Sequence, residues 1–306
     1  MKISAKHPGL AWLFVGVAVI MTLAAAAPDP ETEHPASETL ARIAASRTVT
    51  IGIRNDARPF AYQLPDGAPG GFAVDLCRDL VDDISAAVGI AELKIDYQPV
   101  TTENRIEKVV SGAVDMECGS TTRTAERERL VAFSPIFYVS GVKLMVARNS
   151  EIRSYRDLSD KTVAVTAGTT GEAVMHVLAD RLLVRMKFVT LPNNGRSFAA
   201  LQEGKADAFA TDEILLAGLA ASRVGHGDFV VGDYLSYEPY GLIYQRNDPA
   251  FDAVIKAGFR RLAAQRKLAA IYHRWLLEKL PGGAEALDVP MSAELTQMYR
   301  TLGQPD

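Results

Sequence analysis

An α/β chain built as two similar lobes, each a mostly parallel sheet flanked by helices, is predicted by three observations. Short apolar strands alternate with amphipathic helices along nearly the whole chain. The alternation runs through a β-α-β-α-β series, stops, and begins again in the same order. The 306 residues, 48% hydrophobic and 23% charged, suffice for two cores rather than one. Alternation of this kind lays strands side by side in parallel with helices on the faces.

At the N-terminus, Lys2 and Lys6 precede an apolar run over residues 9–23, and Ala24 to Ala27 give a small-residue cleavage site before Pro28. This is the pattern of a secretory signal peptide, with a run shorter than the roughly 20 residues a spanning helix needs. Cleavage after residue 26 removes Lys2 and Lys6 and no acid, so the formal charge moves from −4 to −6. An acidic mature chain without a basic face argues against nucleic acid. Residues 27–47 read as a leader, with Pro28, Pro30 and Pro35 among acids, followed by a short helix over 38–45.

The first series comprises a strand over 48–54, a helix over 74–88, a strand over 94–99, a helix over 103–110 and a strand over 113–117. Leu76, Leu80, Ile84 and Val88 share a face of the first helix, and Gly89 stops it. The second comprises strands over 143–147, 162–166, 187–191 and 206–211, with a short helix from 157 and helices over 171–182 and 195–203. A helix to 221, strands near 229–231 and 240–245, paired helices over 249–278, a break at Pro281-Gly282-Gly283 and a last helix over 292–302 complete the chain. Cys77 and Cys118 are the only cysteines. They either pair, closing a loop of about 40 residues worth roughly 4 kcal/mol, or stay separately buried.

Ligands of open α/β sheets bind beyond the carboxyl ends of strands. Four clusters lie there: Arg54 and its neighbours, the 119–122 turn, the 168–170 turn and Asp212. The central stretch reads Asp-Met-Glu-Cys-Gly-Ser-Thr-Thr-Arg-Thr-Ala-Glu-Arg over 115–127. Gly119 lets the backbone turn, Thr124 is a plausible N-cap for a helix from 125, and Ser120, Thr122 and Arg127 offer donors suited to a carboxylate. Arg54, Arg105 and Arg127 supply three guanidiniums, which bind carboxylates bidentately. Asp212 suits an ammonium, Thr169 and Thr170 suit a carboxylate, and Phe60 and Tyr62 suit a ligand's apolar atoms. Each has an ordinary reading too: solvated arginines, helix caps, core aromatics. Jointly, cationic groups with one acid describe an anionic amino acid better than a sugar.

The motifs resemble those of extracellular solute-binding proteins for polar amino acids, the receptors of ABC importers, and within them the glutamate/aspartate branch. They are Ile-Gly-Ile-Arg at 51–54, Gly-Gly-Phe-Ala-Val-Asp-Leu-Cys at 70–77, Thr-Thr-Glu-Asn-Arg-Ile at 101–106 and Glu-Cys-Gly-Ser-Thr-Thr at 117–122. Further on come Glu-Arg at 126–127, Ala-Phe-Ser-Pro at 132–135, Gly-Thr-Thr-Gly-Glu at 168–172, Asp-Glu-Ile-Leu-Leu-Ala-Gly at 212–218 and Met-Ser-Ala-Glu-Leu at 291–295. The resemblance implies a hinge-closing periplasmic binding protein with crossings near 139–143 and 231–240. It sets lobe 1 at 48–139 plus 238–280, lobe 2 at 140–237 and a C-terminal extension at 281–306. It implies that Arg127, Thr122 and Thr170 bind an α-carboxylate, that Ser120 and Asp212 receive the α-ammonium, and that Arg54, Thr102 and Arg105 read a side-chain carboxylate.

One position departs from the branch. Where the branch has His in a His-Gly-Asp-Ser-Phe context, this chain has Asn194, followed by Gly195, Arg196, Ser197 and Phe198. A neutral amide donates to a carboxylate and equally suits glutamine or asparagine. Arg196 reads as a surface helix residue. The resemblance further implies a periplasmic monomer that delivers an amino acid to a membrane permease, without cofactor or metal. Some secreted dehydratases share the fold and use a cleft carboxylate, for which Glu117 and Glu172 are available. Yet no nucleophile and base stand at motif spacing, and the histidines at 7, 34, 176, 226 and 273 form no metal-ligand pattern. The expectation is therefore a binding protein and not an enzyme. A soluble receptor serving a separate sensor is a third reading.

Overall fold

Two five-stranded sheets organise the computed structural model, which describes residues 1, 37–221, 229–281 and 285–305. The expected signal peptide beyond Met1, residues 27–36 of the expected leader and Gly282-Gly283 lie outside the described residues. Ser37 and everything described after it belong to one compact unit. In the first sheet, strand Thr48–Ile53 lies parallel to both Lys94–Pro99 and Met116–Glu117, and Ile243–Gln245 runs antiparallel between Met116–Glu117 and Val131–Phe133. In the second, Thr162–Thr166 lies parallel to Lys187–Leu191 and Ala208–Asp212, and Val142–Val146 runs antiparallel between Ala208–Asp212 and Phe229–Val231.

Each sheet is therefore mostly parallel, as expected, with four strands running one way and one against them. The one reversed strand of each, Ile243–Gln245 and Val142–Val146, follows a crossing, where the chain enters from the other sheet and its direction is not set by a β-α-β step. The crossings themselves, Tyr138–Ser140 and Glu238–Tyr240, pair antiparallel as a two-stranded ribbon between the sheets. The single strand expected over 240–245 is divided because Gly241 and Leu242 leave the ladder. Their N–H groups donate to the Thr121 carbonyl and the Ser134 hydroxyl instead.

Both faces of each sheet are covered. Val142, Leu144 and Val146 face one apolar cluster of the second sheet while Met145 faces another with Phe198 and Phe209, as the two-residue strand period requires. The larger core of the first sheet includes Ile51, Phe60, Phe72, Leu80, Tyr240 and Phe259. Helix Glu38–Ser46 enters it through Ile43, and Arg42 pairs with the buried Asp115 at 2.7 Å. The last helix, Ala293–Thr301, enters through Leu295 and Tyr299, whose hydroxyl donates to the Phe137 carbonyl at 2.8 Å. Cys77 and Cys118 form a disulfide that ties helix Phe72–Val88 to the turn after Met116–Glu117.

Two short helices differ from expectation. The one expected from residue 125 is a single 3-10 turn, Arg127–Arg129, to which Thr124 contributes by accepting from the Arg127 N–H at 3.2 Å. Tyr155–Asp157 ends where a helix was expected to begin, because Ser154 and Asp157 close a reciprocal capping box around one turn.

Candidate functional site

The strand ends of both sheets converge on a buried cluster of charges. Arg54 follows strand Thr48–Ile53 and is 2% exposed. Its Nε and Nη2 both donate to Asp56 at 2.9 Å, and Nη1 reaches the Ser120 hydroxyl at 3.4 Å. Burial pulls the Arg54 pKa down, but Asp56 and Glu117 outweigh it and the guanidinium titrates above its usual range. Asp56 shows the converse: burial raises its pKa, and Arg54 with the Asn194 N–H brings it below the usual carboxylate value.

Arg105 opens helix Arg105–Val110, is also 2% exposed, and has no hydrogen-bond partner at Nε or Nη1. Burial first, and neighbouring Arg127 second, push its pKa down to about 9. Thr102, just before this helix, is buried with an unpartnered Oγ1. Glu117, fully buried, accepts from Thr121 Oγ1 at 2.7 Å and leaves Oε1 unpartnered. Buried donors and acceptors in this state are costly unless a partner arrives.

Arg127 donates to the Thr122 carbonyl at 2.9 Å and to the Gly168 carbonyl, beyond the second sheet's strand Thr162–Thr166, at 3.3 Å. Burial holds its pKa below normal despite Glu238 and Asp212 nearby. The Thr122 and Thr170 hydroxyls lie 3.4 Å apart, and Thr170 donates to Glu238 at 2.7 Å. Asp212 ends strand Ala208–Asp212 and accepts from the Tyr240 hydroxyl. Burial, reinforced by Glu238, raises its pKa to about 7. A cavity of about 570 Å³ opens here, lined in part by Thr102, Thr122, Arg127, Gly168, Thr170 and Glu238.

Of the nine residues singled out in the sequence, Thr102, Thr122, Arg127 and Thr170 line this cavity; Arg54 meets Ser120 directly and Asn194 through Asp56, and Arg105 and Asp212 feel the charges of both Arg54 and Arg127. Their partners differ from expectation. Asn194, the first residue of helix Asn194–Gln202, turns to protein groups: its N–H donates to Asp56 at 2.9 Å and its side-chain oxygen accepts from Thr166 at 2.9 Å. Thr169 caps helix Thr170–Leu182 by accepting from the Glu172 N–H. Glu172 itself accepts from the Gly168 N–H and Thr190, so it serves the loop. Phe60 and Tyr62 are core: Phe60 sits edge-on to Tyr138 and Tyr240, and Tyr62 edge-on to Trp275. Arg196 is exposed on its helix.

Three participants escaped the sequence reading. Asp56 had a signal, since two residues apart on extended chain puts it on the side of Arg54. Glu238 and Tyr240 had none, because only the crossing ribbon brings them to the site. Among the described residues no group of three or more His, Cys, Asp or Glu is arranged to hold a metal ion.

The chain is similar to proteins that bind amino acids. It is 34% identical over 262 residues to the L-glutamate/L-aspartate-binding protein of Pseudomonas aeruginosa, covering 85% of this chain and 87% of that protein. It is 29% identical over 284 residues to the glutamate/aspartate import solute-binding protein of Salmonella typhimurium, covering 92% and 94%. The crystal structure of an ancestral amino acid-binding protein, a precursor of cyclohexadienyl dehydratase, matches with a TM-score of 0.67 and 28% identity over 78% of this chain and 99% of that one. The model of one family matches residues 49–278, three quarters of the sequence and both sheets. The chain belongs to the bacterial extracellular solute-binding proteins, family 3.

Proposed function

We propose that this protein is an extracytoplasmic receptor that captures glutamate or aspartate between two lobes and presents it to the permease of an ABC importer. The observation that carries the reading is Arg105, a buried guanidinium with two free donors that feels the charge of Arg127, between Thr102 and Ile106 of the cavity lining. An α-amino dicarboxylate offers one anion for Arg127 with Thr122 and Thr170, an ammonium for Asp212 and Ser120, and a second anion for Arg105 with Thr102. Arg54 and Asn194 flank the second anion.

In this account lobe 1 spans 48–139 and 238–280, lobe 2 spans 140–237, and the paired crossings are the hinge. Ligand that bridges the lobes favours their closure, and the closed surface is what a permease recognises. Residues 1–26 direct export, the mature protein acts as a periplasmic monomer, and it needs neither cofactor nor metal. It is a binding protein and not an enzyme: its relatives are named for binding, and Glu172 is engaged with the 168–172 turn and Thr190.

The test is thermal unfolding of protein stripped of ligand by unfolding and refolding. Glutamate or aspartate at about 100 times Kd should add about 2.7 kcal/mol of stability, with arginine and leucine inert. Stabilisation by arginine or leucine alone would refute the assignment.

A further inference from the structure

We infer that Asp56 sets the acid-versus-amide preference of this cleft: its carboxylate occupies Arg54, so the distal group of a bound amino acid is read by Arg105 and Thr102. The inference rests on the receptor reading above and concerns which of the two lobe 1 guanidiniums remains available.

The two arginines differ in what already satisfies them. Arg54 meets Asp56 with two parallel N–H donors at 2.9 Å, the bidentate geometry that makes such pairs strong. The same carboxylate accepts from the Asn194 N–H at 2.9 Å, at the positive end of helix Asn194–Gln202. A guanidinium fork facing a helix N-terminus is the donor set a ligand carboxylate would need, and here the chain fills it with its own residue. Asn194 reinforces the arrangement, since its amide also donates to the Asp56 carbonyl at 3.4 Å while its oxygen is held by Thr166. Arg105, by contrast, keeps Nε and Nη1 free, and Thr102 keeps Oγ1 free.

Two consequences follow for selectivity. A ligand carboxylate gains one guanidinium, not two, so its advantage over an amide is reduced. It also approaches a fixed like charge, which an amide does not feel. The cleft therefore discriminates glutamate from glutamine less sharply than the same cleft without Asp56.

The experiment is calorimetric titration of glutamate and glutamine into wild-type protein, Asp56→Ala, Asp56→Asn and the double variant Arg54→Gln/Asp56→Asn. Both single variants should raise the glutamate-to-glutamine affinity ratio at least about tenfold, the worth of one charged hydrogen bond. The double variant should return it to within about twofold of wild type. A role for Asp56 confined to folding would lower both affinities together, and a ratio that is unchanged or lower in the single variants overturns the inference. If Asp56→Ala does not fold, Asp56→Asn, which keeps the shape, gives the same reading. Failure of wild type to bind any amino acid would strike the receptor reading, and the inference with it.

Discussion

Asp212 illustrates how one side chain in this cleft links burial to binding. Burial and Glu238 raise its pKa to about 7 from 3.8, so the folded protein holds a proton that the unfolded chain has released. Stability from this group is accordingly lost as pH rises from about 4 to about 7. Ligand binding has the opposite sign. An ammonium beside Asp212 favours the ionised form, so binding expels the proton wherever Asp212 is protonated. Affinity for glutamate should fall as pH drops from 8 to 6, with a limiting slope of about one decade per unit. Titrations in buffers of different ionisation enthalpy should register proton release near pH 6.5, and Asp212→Asn should abolish it. A pH-independent affinity would contradict the role of Asp212. The residue was visible in the sequence because an acid directly after an apolar strand stands where ligands bind. What makes it titrate near neutrality was not, since Glu238 and Tyr240 reach it only through a crossing far along the chain.

Elements position these residues by approaching one another closely. Helix Glu213–Ala221 follows Asp212 and runs against the Arg58 backbone: a Cβ at Gly218 would overlap the Arg58 carbonyl. Lobe 2 thus touches the lobe 1 loop that carries Asp56 at a point where only glycine fits. Gly218→Ala should hold the lobes apart, lowering glutamate affinity about tenfold or more through the smaller closed population. The melting temperature of ligand-free protein should fall as well, because Ile214 and Leu215 of this helix belong to the first-sheet core. Equal affinity for the variant and wild type would remove the lobe contact from the account. Strand and helix order was legible from alternating apolar patterns, and helix Phe72–Val88 from its stripe and Gly89. The division at Gly241 and Leu242 was not. Both N–H groups leave the ladder for partners more than a hundred residues away, and no local pattern records that.

At the scale of the molecule, the repeated strand-helix order gave two lobes before any coordinate, because each half satisfies its own sheet. The one reversed strand in each sheet, Val142–Val146 and Ile243–Gln245, was not legible, as it depends on how the chain crosses between halves. Those crossings pair as Tyr138–Ser140 with Glu238–Tyr240, and the ribbon delivers Glu238 and Tyr240 to the cleft. In the proposed receptor, hinge and ligand chemistry therefore share a strand, and ligand capture and closure are expected as one event. The account turns on Arg105 as the cation that a dicarboxylic amino acid neutralises. Isothermal titration of glutamate into stripped wild-type protein and into Arg105→Met tests this most directly. Wild type should bind glutamate at micromolar Kd or tighter, about −8 kcal/mol, and Arg105→Met should weaken it roughly 10- to 100-fold while changing glutamine binding far less. Equal losses for glutamate and glutamine, or no loss for either, would contradict the central claim.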